Sequence, residues 1–273
     1  MSDIVLSTAV RSNLLQLQST SDLIGLTENR LATGKKVNSA LDNAINFFTA
    51  QGLDTRANNL NSLLDTMSNG INTIQAANNG ISAITKLVQS AQALVSQAQS
   101  ANNTTTQATL AGQFDSLLTQ IGQLAGDSGF NGVNLLGGNT LTINLNETST
   151  STISVTGVNY TNAQAAPLSI ATAANNWATA GDITTASTAL TTALTTLQTE
   201  SQSLSSSLAT VQTRQEFTKA MIDTLQAGSA SLTLADSNQE GANLLALQTR
   251  QQLSSTALSL ASQADQNVLR LFQ

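Results

Sequence analysis

The chain has 273 residues and a formal net charge of −6, and only 10% of its residues are charged, compared with about 25% in a typical soluble domain. It contains no histidine and no cysteine, which removes the usual proton-transfer group, the commonest metal ligands and all thiol chemistry. No basic residue lies between Lys86 and Arg214, so the clustered positive charge that binds nucleic acid is missing. We therefore expect a protein that is not an enzyme and that has no metal or cofactor site and no nucleic-acid partner.

No apolar run approaches the roughly 18 to 20 residues that a membrane span requires, so membrane insertion is not expected. The N-terminal sequence lacks a basic region followed by an apolar run, so it does not predict a cleaved signal peptide. A secreted chain of this kind would keep its N-terminus.

The first predicted element is an amphipathic helix near the N-terminus. Val10, Leu17, Ile24 and Leu31 recur every seven residues, and Leu14 lies on the same face. This repeat is typical of a helix that packs lengthwise against another helix.

A longer heptad run follows and predicts a coiled coil. Apolar positions step by three and four residues from Leu60 to Val95, over about five heptads, which is more than a coiled coil requires. The run includes one polar residue, Asn78, which either sets the helix register or binds water. A shorter block keeps the same spacing at Leu110, Phe114, Leu117, Ile121 and Leu124.

The middle of the chain changes from helix signals to strand signals. Asn131-Gly132 and Gly137-Gly138 indicate turns. Apolar residues then alternate with polar ones on both sides of residues 146–149, which predicts a β-hairpin. Residues 139–181 are rich in Thr, Asn, Ser and Ala, so we expect a small surface module with a marginal core, containing the lone Trp177 and Pro167.

The C-terminal third mirrors the first. Heptad spacing holds from Leu190 to Leu225, with polar interruptions at Ser201, Gln215 and Thr218. A break is predicted at Gly228. After it, a second apolar stripe comprises Leu253, Ala257, Leu260, Ala264, Val268 and Leu271.

Two residue pairs have the spacing of a capping box, in which a Ser or Thr is followed three residues later by Glu. Ser237 and Glu240 lie where the last helix should begin, so they predict its start. Thr213 and Glu216 lie inside a heptad run and are either a helix start or an exposed pair.

These elements predict a mainly α fold. Two helical halves that both need partner helices pack most simply antiparallel to each other. We expect a long antiparallel helical coiled-coil rod, with both termini paired at one end and a small β-hairpin module at the other. A helix of about 40 residues alone spans about 60 Å.

The apolar stripes at the two ends of the chain are the candidate functional site. Chain ends are usually frayed and polar, and a two-helix hairpin cannot bury a whole stripe by itself. The stripes are either ordinary hairpin core or an interface with other copies, and a head-to-tail interface that does not close produces a helical filament. The candidate interface residues are Val10, Leu14, Leu17, Ile24, Leu31, Leu253, Leu260, Val268 and Leu271.

Three segments resemble bacterial flagellins. Residues 13–53, NLLQLQSTSDLIGLTENRLATGKKVNSALDNAINFFTAQGL, resemble the N-terminal region of that family. Residues 130–136, FNGVNLL, are similar to the turn before the family's hairpin, and the segment from Phe217 to the final Gln-Asn-Val-Leu resembles its C-terminus. The resemblance covers residues 4–138 and 183–273.

The resemblance implies a structural subunit that self-assembles into the flagellar filament for motility. It implies a terminal domain of residues 1–41 with 236–273 around a central channel, and a rod domain of residues 42–138 with 182–235. Residues 139–181 would form a surface module smaller than in many flagellins. The family also implies export through the flagellar type III apparatus, an extracellular filament, contacts with hook-junction and cap proteins, and an export chaperone on the C-terminal segment.

Two other functions are weighed against the filament subunit. A hook–filament junction protein of the same family would assemble only over a short zone. A secreted coiled-coil translocator or adhesin would share the composition, but it would normally carry a membrane-active segment or a dedicated binding domain, and neither is visible. The charged stretch that an innate immune receptor recognises in many flagellins has no counterpart at residues 88–95, which carry no charge.

The remaining charged residues give no clear site. Lys35, Lys36 and Asn38 follow Gly34, but this loop lacks the other glycines of a phosphate-binding loop, so we interpret it as a solvated connection. Asp115, Asp127 and Glu147 are isolated along the chain and lack metal-ligand spacing.

Overall fold

The computed structural model describes residues 8–271, with every side chain except those of residues 9, 265 and 268–271. Its helices are α1 (Thr8–Thr33), α2 (Ala40–Ser100), α3 (Thr104–Asp127), α4 (Ala180–Thr233) and α5 (Ser237–Leu271). Strands β1 (Thr140–Asn144) and β2 (Thr152–Thr156) form an antiparallel sheet. The predicted mainly α fold with a small β-hairpin is confirmed.

The chain forms two compact units. The first unit consists of residues 1–55 with 224–273, and the second of residues 56–223. Helices α1 and α5 belong to the first unit, α3 and the sheet to the second, and α2 and α4 contribute to both. The predicted division into three domains places its boundaries elsewhere, and it stays a prediction about the assembled subunit.

The core of the second unit follows the predicted heptads. Buried positions on α2 and α4 return every seven residues, which is the spacing of helices that pack lengthwise. On α2 they include Met67, Ile74, Ile81, Val88 and Val95, and on α4 Leu190, Leu197, Leu204 and Val211.

Polar residues in these heptads contact each other across the two helices. Ser201 Oγ donates to Asn78 Oδ1 at 3.4 Å, and Gln215 Nε2 donates to Ser68 Oγ at 2.9 Å. The two bonds run in opposite sequence directions, so α2 and α4 are antiparallel in this unit. The contact of Asn78 with Ser201 supports its interpretation as a register-setting residue, because a polar pair is satisfied in only one alignment.

One helix boundary agrees with the heptad blocks and one differs from the prediction. Helix α2 ends at Ser100, after the block that reaches Val95, and Asn103 starts α3 by accepting a hydrogen bond from the Thr105 amide at 2.8 Å. An Asn side chain at this position binds a free amide of the first helical turn, which favours the start of a new helix. The predicted break at Gly228 is wrong, because α4 continues to Thr233 and still buries Ser229.

The helix start predicted at Ser237 is confirmed but the residue that caps it is not Ser237, and Thr213 and Glu216 are an exposed pair inside a helix. Thr213 lies inside α4, where its hydroxyl donates to the Ala209 carbonyl at 3.0 Å. Helix α5 does begin at Ser237, but the side chain of Asp236 caps it by accepting from the amides of Asn238 and Gln239, at 2.9 and 3.2 Å. An Asp caps a helix at least as well as a Ser, and it leaves Glu240 free for another role.

The FNGVNLL segment forms a tight turn and caps the C-terminal end of α3. Phe130 and Val133 exchange two backbone hydrogen bonds, of 2.9 and 3.0 Å, around Asn131 at φ 48° and Gly132 at φ 79°. Two positive φ angles define the tight turn that Asn-Gly prefers. Asn134 then donates to the carbonyls of Ala125 and Gly126 at 2.8 Å each, which satisfies the C-terminal end of α3.

The predicted hairpin is present and is anchored on α2. Leu141 pairs with Val155 and Ile143 with Ile153. Ile143 is buried against Gly70, where any Cβ would overlap its side chain. In the hairpin loop, Glu147 Oε1 accepts from Arg56 Nε at 2.7 Å. Hydrogen bonding by the Glu147 backbone, followed by Arg56, lowers the pKa of this carboxyl.

The expectation of a marginal core in residues 139–181 is wrong for its second half. Tyr160, Leu168, Ile170 and Trp177 are fully buried. The Trp177 ring packs on Phe114 of α3, with ring centroids 4.9 Å apart, and Asp115 Oδ1 accepts from the Ala173 amide at 2.9 Å. The composition of the segment is polar, but these four large side chains are buried in the core. Asp115 binds the backbone of the same segment and holds it on α3.

Gly122 provides a test of this docking. A Cβ at Gly122 would overlap the Thr161 carbonyl oxygen, whereas a Cβ at Gly112 on the same helix meets nothing within 4 Å. We expect Gly122→Ala to destabilise the second unit by about 1–3 kcal/mol through overpacking, and Gly112→Ala to stabilise it by up to about 1 kcal/mol. Urea unfolding followed by the fluorescence of the single Trp177 measures both, and equal effects at the two glycines would contradict the docked position of residue 161.

Glu200 predicts a pH dependence of stability. Burial raises the pKa of this carboxyl above its ordinary value of 4.5, and burial, followed by the charge of Glu200, raises the pKa of Tyr160. Because the folded state favours protonated Glu200, its stabilisation is complete below about pH 4.5 and is lost as pH rises through the folded pKa. Glu200→Gln should match the wild type in urea unfolding near about pH 4 and exceed it near about pH 7, and an equal difference at both pH values would contradict this assignment.

Candidate assembly surface

The two terminal helices pack against each other in the first unit. Arg30 near the end of α1 contacts Glu240 near the start of α5, so the helices are antiparallel. Their less exposed positions step by three and four residues and form one seam. On α1 these are Val10, Leu17, Thr20, Ile24, Thr27 and Leu31, and on α5 Glu240, Leu244, Leu247, Gln251, Ser254 and Leu258.

The structure therefore divides the predicted interface residues into two groups. Val10 is 6% exposed, and Leu17, Ile24 and Leu31 are half-buried along the seam. Leu253 and Leu260, in contrast, are 67% and 62% exposed. At roughly 100° per residue, their row lies roughly a third of a turn away from the seam of α5. The side chains of Val268 and Leu271 lie outside the described residues.

Helix α1 also exposes apolar side chains away from the seam. Leu14, a predicted interface residue, is 47% exposed. Leu15, Leu23 and Leu26 are exposed as well. The heptad pattern did not find these three because they lie outside the seven-residue repeat. We call the exposed leucines of α1 and α5 the outer rows, and they comprise Leu14, Leu15, Leu23, Leu26, Leu245, Leu253 and Leu260.

The start of α2 carries a further apolar cluster. Leu41, Ile45 and Phe48 are all exposed, Leu41 at 98%. Their spacing of four and three residues is helical, so the sequence did contain a signal for this face. The backbone departs from helix at Asn43, and Asn43 Oδ1 accepts from the Asn46 amide at 3.0 Å, so the helix restarts there.

The connections at the closed end of the terminal helix pair are tied together by backbone hydrogen bonds. Thr233 O accepts from the Lys36 amide at 2.8 Å, and Gly34 O accepts from the Ala235 amide at 2.9 Å. Lys36 Nζ donates to the Ser231 carbonyl at 3.0 Å. This places a cation at the C-terminal end of α4, where the helix dipole favours positive charge. Gly34 has φ 67°, the left-handed conformation that ends a helix and favours glycine.

This loop is therefore more than the solvated connection that the sequence predicts. The amides of Lys36 and Val37 are bound by α4, so they do not form a cradle for phosphate. Val37 is buried beneath the connection. Asp42 Oδ2 accepts from the amides of Ser39 and Asn38, at 2.9 Å each, and these bonds lower the pKa of its carboxyl.

One ion pair crosses the seam. Arg30 Nη1 donates to Glu240 Oε1 at 3.2 Å, and their side chains are 33% and 10% exposed. Arg30 Nε and Glu240 Oε2 are buried without a hydrogen-bond partner. The sequence did not indicate this pair, because the two residues are 210 positions apart.

The first unit cannot cover its own apolar side chains. Of the thirteen exposed large apolar residues in the described part of the chain, eleven lie in this unit. Among the described residues, no helix is long and apolar enough to cross a membrane, and no acidic cluster could hold a metal ion. An antiparallel terminal helix pair with uncovered apolar rows defines a helical structural subunit whose surface is completed by assembly.

Comparison with known proteins identifies the family. The model of the bacterial flagellin N-terminal helical region matches residues 4–140, and that of the bacterial flagellin C-terminal helical region matches residues 180–272. The chain belongs to the bacterial flagellin family, and it is a structural subunit of the flagellar filament.

Individual relatives agree over nearly the whole chain. Flagellin FljM of Caulobacter vibrioides is 32% identical over 269 residues, which cover 95% of this chain and 94% of the relative. Flagellin FljK of the same organism is 33% identical with the same coverage. The flagellin of Brucella melitensis is 28% identical over 284 aligned positions that span both chains completely. The crystal structure of Bacillus cereus flagellin aligns with a TM-score of 0.47 and 21% identity, over 57% of this chain and 88% of that chain.

Proposed function

We propose that this chain polymerises through the outer rows of α1 and α5 into the extracellular filament, and that the filament serves motility. The observation that carries the proposal is the concentration of exposed apolar residues in the first unit, in which α1 and α5 pair. Each leucine removed from water contributes roughly 1.5–3 kcal/mol. A few leucines per subunit are therefore enough to drive association.

The predicted interface residues then have two different roles. Leu14, Leu253 and Leu260 contact neighbouring copies directly, and Val268 and Leu271 continue the same sequence stripe. Val10, Leu17, Ile24 and Leu31 form the seam and contribute by holding α1 on α5. This division is supported by the exposure of the first group and the burial or half-burial of the second.

The position that we propose for each region in the filament is supported by the resemblance to the family. Residues 1–41 with 236–273 form the inner tube around the channel, residues 42–138 with 182–235 form the next shell, and residues 139–181 face outward. The buried contacts of Trp177 and the anchored hairpin support a compact outer module.

Secretion and the accessory partners belong to the same proposal. The chain leaves the cell through the flagellar type III apparatus, and an export chaperone covers the C-terminal helix before assembly. The exposed Leu253 and Leu260 support this, because an uncovered apolar row on a free subunit favours premature association. Hook-junction and cap proteins contact the filament ends. The chain acts by assembly and not by catalysis, consistent with its lack of histidine and cysteine.

The proposed function is tested by growth from filament seeds. Purified intact protein should extend seeds into long tubes seen by electron microscopy, and protein lacking residues 236–273 should remain monomeric because it has lost α5. Intact protein that stays short, under conditions in which another flagellin extends the same seeds, would indicate the hook–filament junction protein instead.

The role of the outer row is tested by two matched double variants. Leu253→Ser with Leu260→Ser removes the exposed leucines, and Gln252→Ser with Gln263→Ser changes exposed polar neighbours on the same helix. The leucine variant should raise the critical concentration for growth by at least about tenfold, and the glutamine variant should leave it unchanged. Normal growth of the leucine variant would remove α5 from the proposed interface.

A further inference from the structure

We propose that the Arg30–Glu240 ion pair sets the register of α1 against α5, and through it the alignment of the two outer rows. The inference rests on the proposed function, because it assumes that the outer rows are the assembly surface. It assigns a positioning role to Arg30 and Glu240, which are not themselves outer-row residues.

The seam alone does not define one register. Val10, Leu17, Ile24 and Leu31 are equivalent positions of a seven-residue repeat, so α5 displaced by seven residues would meet similar side chains. Buried Thr20 and Thr27 are also one heptad apart, and the Thr20 hydroxyl is satisfied locally by the Gln16 carbonyl at 2.8 Å. The apolar contacts and these threonines therefore tolerate a slip. A slip would still have to strain the connection before α5, where the Ala235 amide donates to the Gly34 carbonyl at 2.9 Å.

The ion pair does not tolerate a slip. Arg30 Nη1 and Glu240 Oε1 are 3.2 Å apart, and Glu240 is 10% exposed at its side chain. Arg30 Nε and Glu240 Oε2 have no hydrogen-bond partner. A displacement of α5 by one heptad toward the N-terminus of α1 would therefore leave a buried carboxylate without any cation. Removing the partner of a buried charge is much more unfavourable than the pair itself is favourable.

The position of the pair strengthens this discrimination. Arg30 lies in the last turn of α1 and Glu240 in the first turn of α5, where the helix dipoles favour a cation and an anion respectively. Among the described residues the only other ion pair, Arg56–Glu147, lies in the second unit. No second pair of the described first unit can replace it in a slipped alignment.

The register matters for assembly because it sets the geometry of the composite surface. A slip of one heptad moves Leu253 and Leu260 by roughly 10 Å along α1. The leucines of the two helices would then no longer present the same surface to a neighbouring copy. A subunit with a slipped terminal pair should therefore fold but fail to extend a filament.

Charge reversal provides the first test. Arg30→Glu and Glu240→Arg should each raise the critical concentration for seeded growth by about tenfold or more, and the double reversal should restore it to within about threefold of wild type. The matched control is Arg56→Glu, Glu147→Arg and their combination, which should not change growth. A double reversal as defective as the single variants would overturn the proposal.

Disulfide trapping separates register from stability, because the chain has no natural cysteine. Counting in opposite directions from Arg30 and Glu240 pairs Leu17 with position 253, so the nearest seam residue of α5 is Ser254, and Leu247 lies one heptad from Ser254. In seeded filaments with the ion pair intact, Leu17→Cys should cross-link with Ser254→Cys and not with Leu247→Cys. In free subunits carrying Glu240→Gln, the Leu247→Cys pair should form as well.

The outcomes distinguish this inference from the function on which it rests. Unchanged cross-linking and normal growth with Glu240→Gln overturn the register role while leaving filament assembly intact. If intact protein never extends seeds, the proposed function fails, and the cross-linking of free subunits still decides whether the pair sets the register.

Discussion

The terminal helix pair can bury only one of the two apolar faces that each helix carries. On α5, Leu244, Leu247 and Leu258 lie toward the seam, while Leu253 and Leu260 lie on the outer row. A helix with apolar side chains over more than one face needs more than one neighbour. The first unit has two terminal helices, so its stability depends on contacts that a single copy does not supply. Self-assembly is the direct consequence of this shortage of partners.

The second unit solves the same problem within one chain. Its α2 and α4 heptads face each other, and the segment after the hairpin covers α3 with Trp177, Tyr160, Leu168 and Ile170. Most of its apolar side chains are therefore removed from water before any assembly occurs. Since local stability follows burial and contact density, we expect the second unit to be stable within one copy, whereas the first unit carries the exposed apolar surface that assembly covers.

Sequence reasoning found what repeats locally and missed what depends on distant partners. The heptads of α2 and α4, the Asn131-Gly132 turn and the presence of the hairpin were readable because their spacing is a local consequence of helix and strand geometry. Of the site, the pattern found Leu14, Leu253 and Leu260, but it did not separate them from seam positions such as Leu17, since periodicity marks an apolar face and not its partner. The docking of Trp177 on Phe114 and the pairing of Arg30 with Glu240 depend on three-dimensional proximity, which spacing does not encode. The cap at Asp236 was missed because a neighbouring Ser–Glu pair offered a competing pattern of the same kind.

Paired helices with a repeated apolar seam and little charge can align in several registers, and in both units a few polar contacts favour one register. In a uniform apolar seam, registers one heptad apart differ little in buried area, so a rare polar pair supplies most of the discrimination. The second unit uses two neutral pairs, Ser68–Gln215 and Asn78–Ser201. The first unit uses the charged pair Arg30–Glu240, where a mismatch is more unfavourable because a charge and not an amide would be left unpaired. With only 10% of residues charged, few alternative ionic partners exist along either helix, so each remaining charge is specific in the partner it can find.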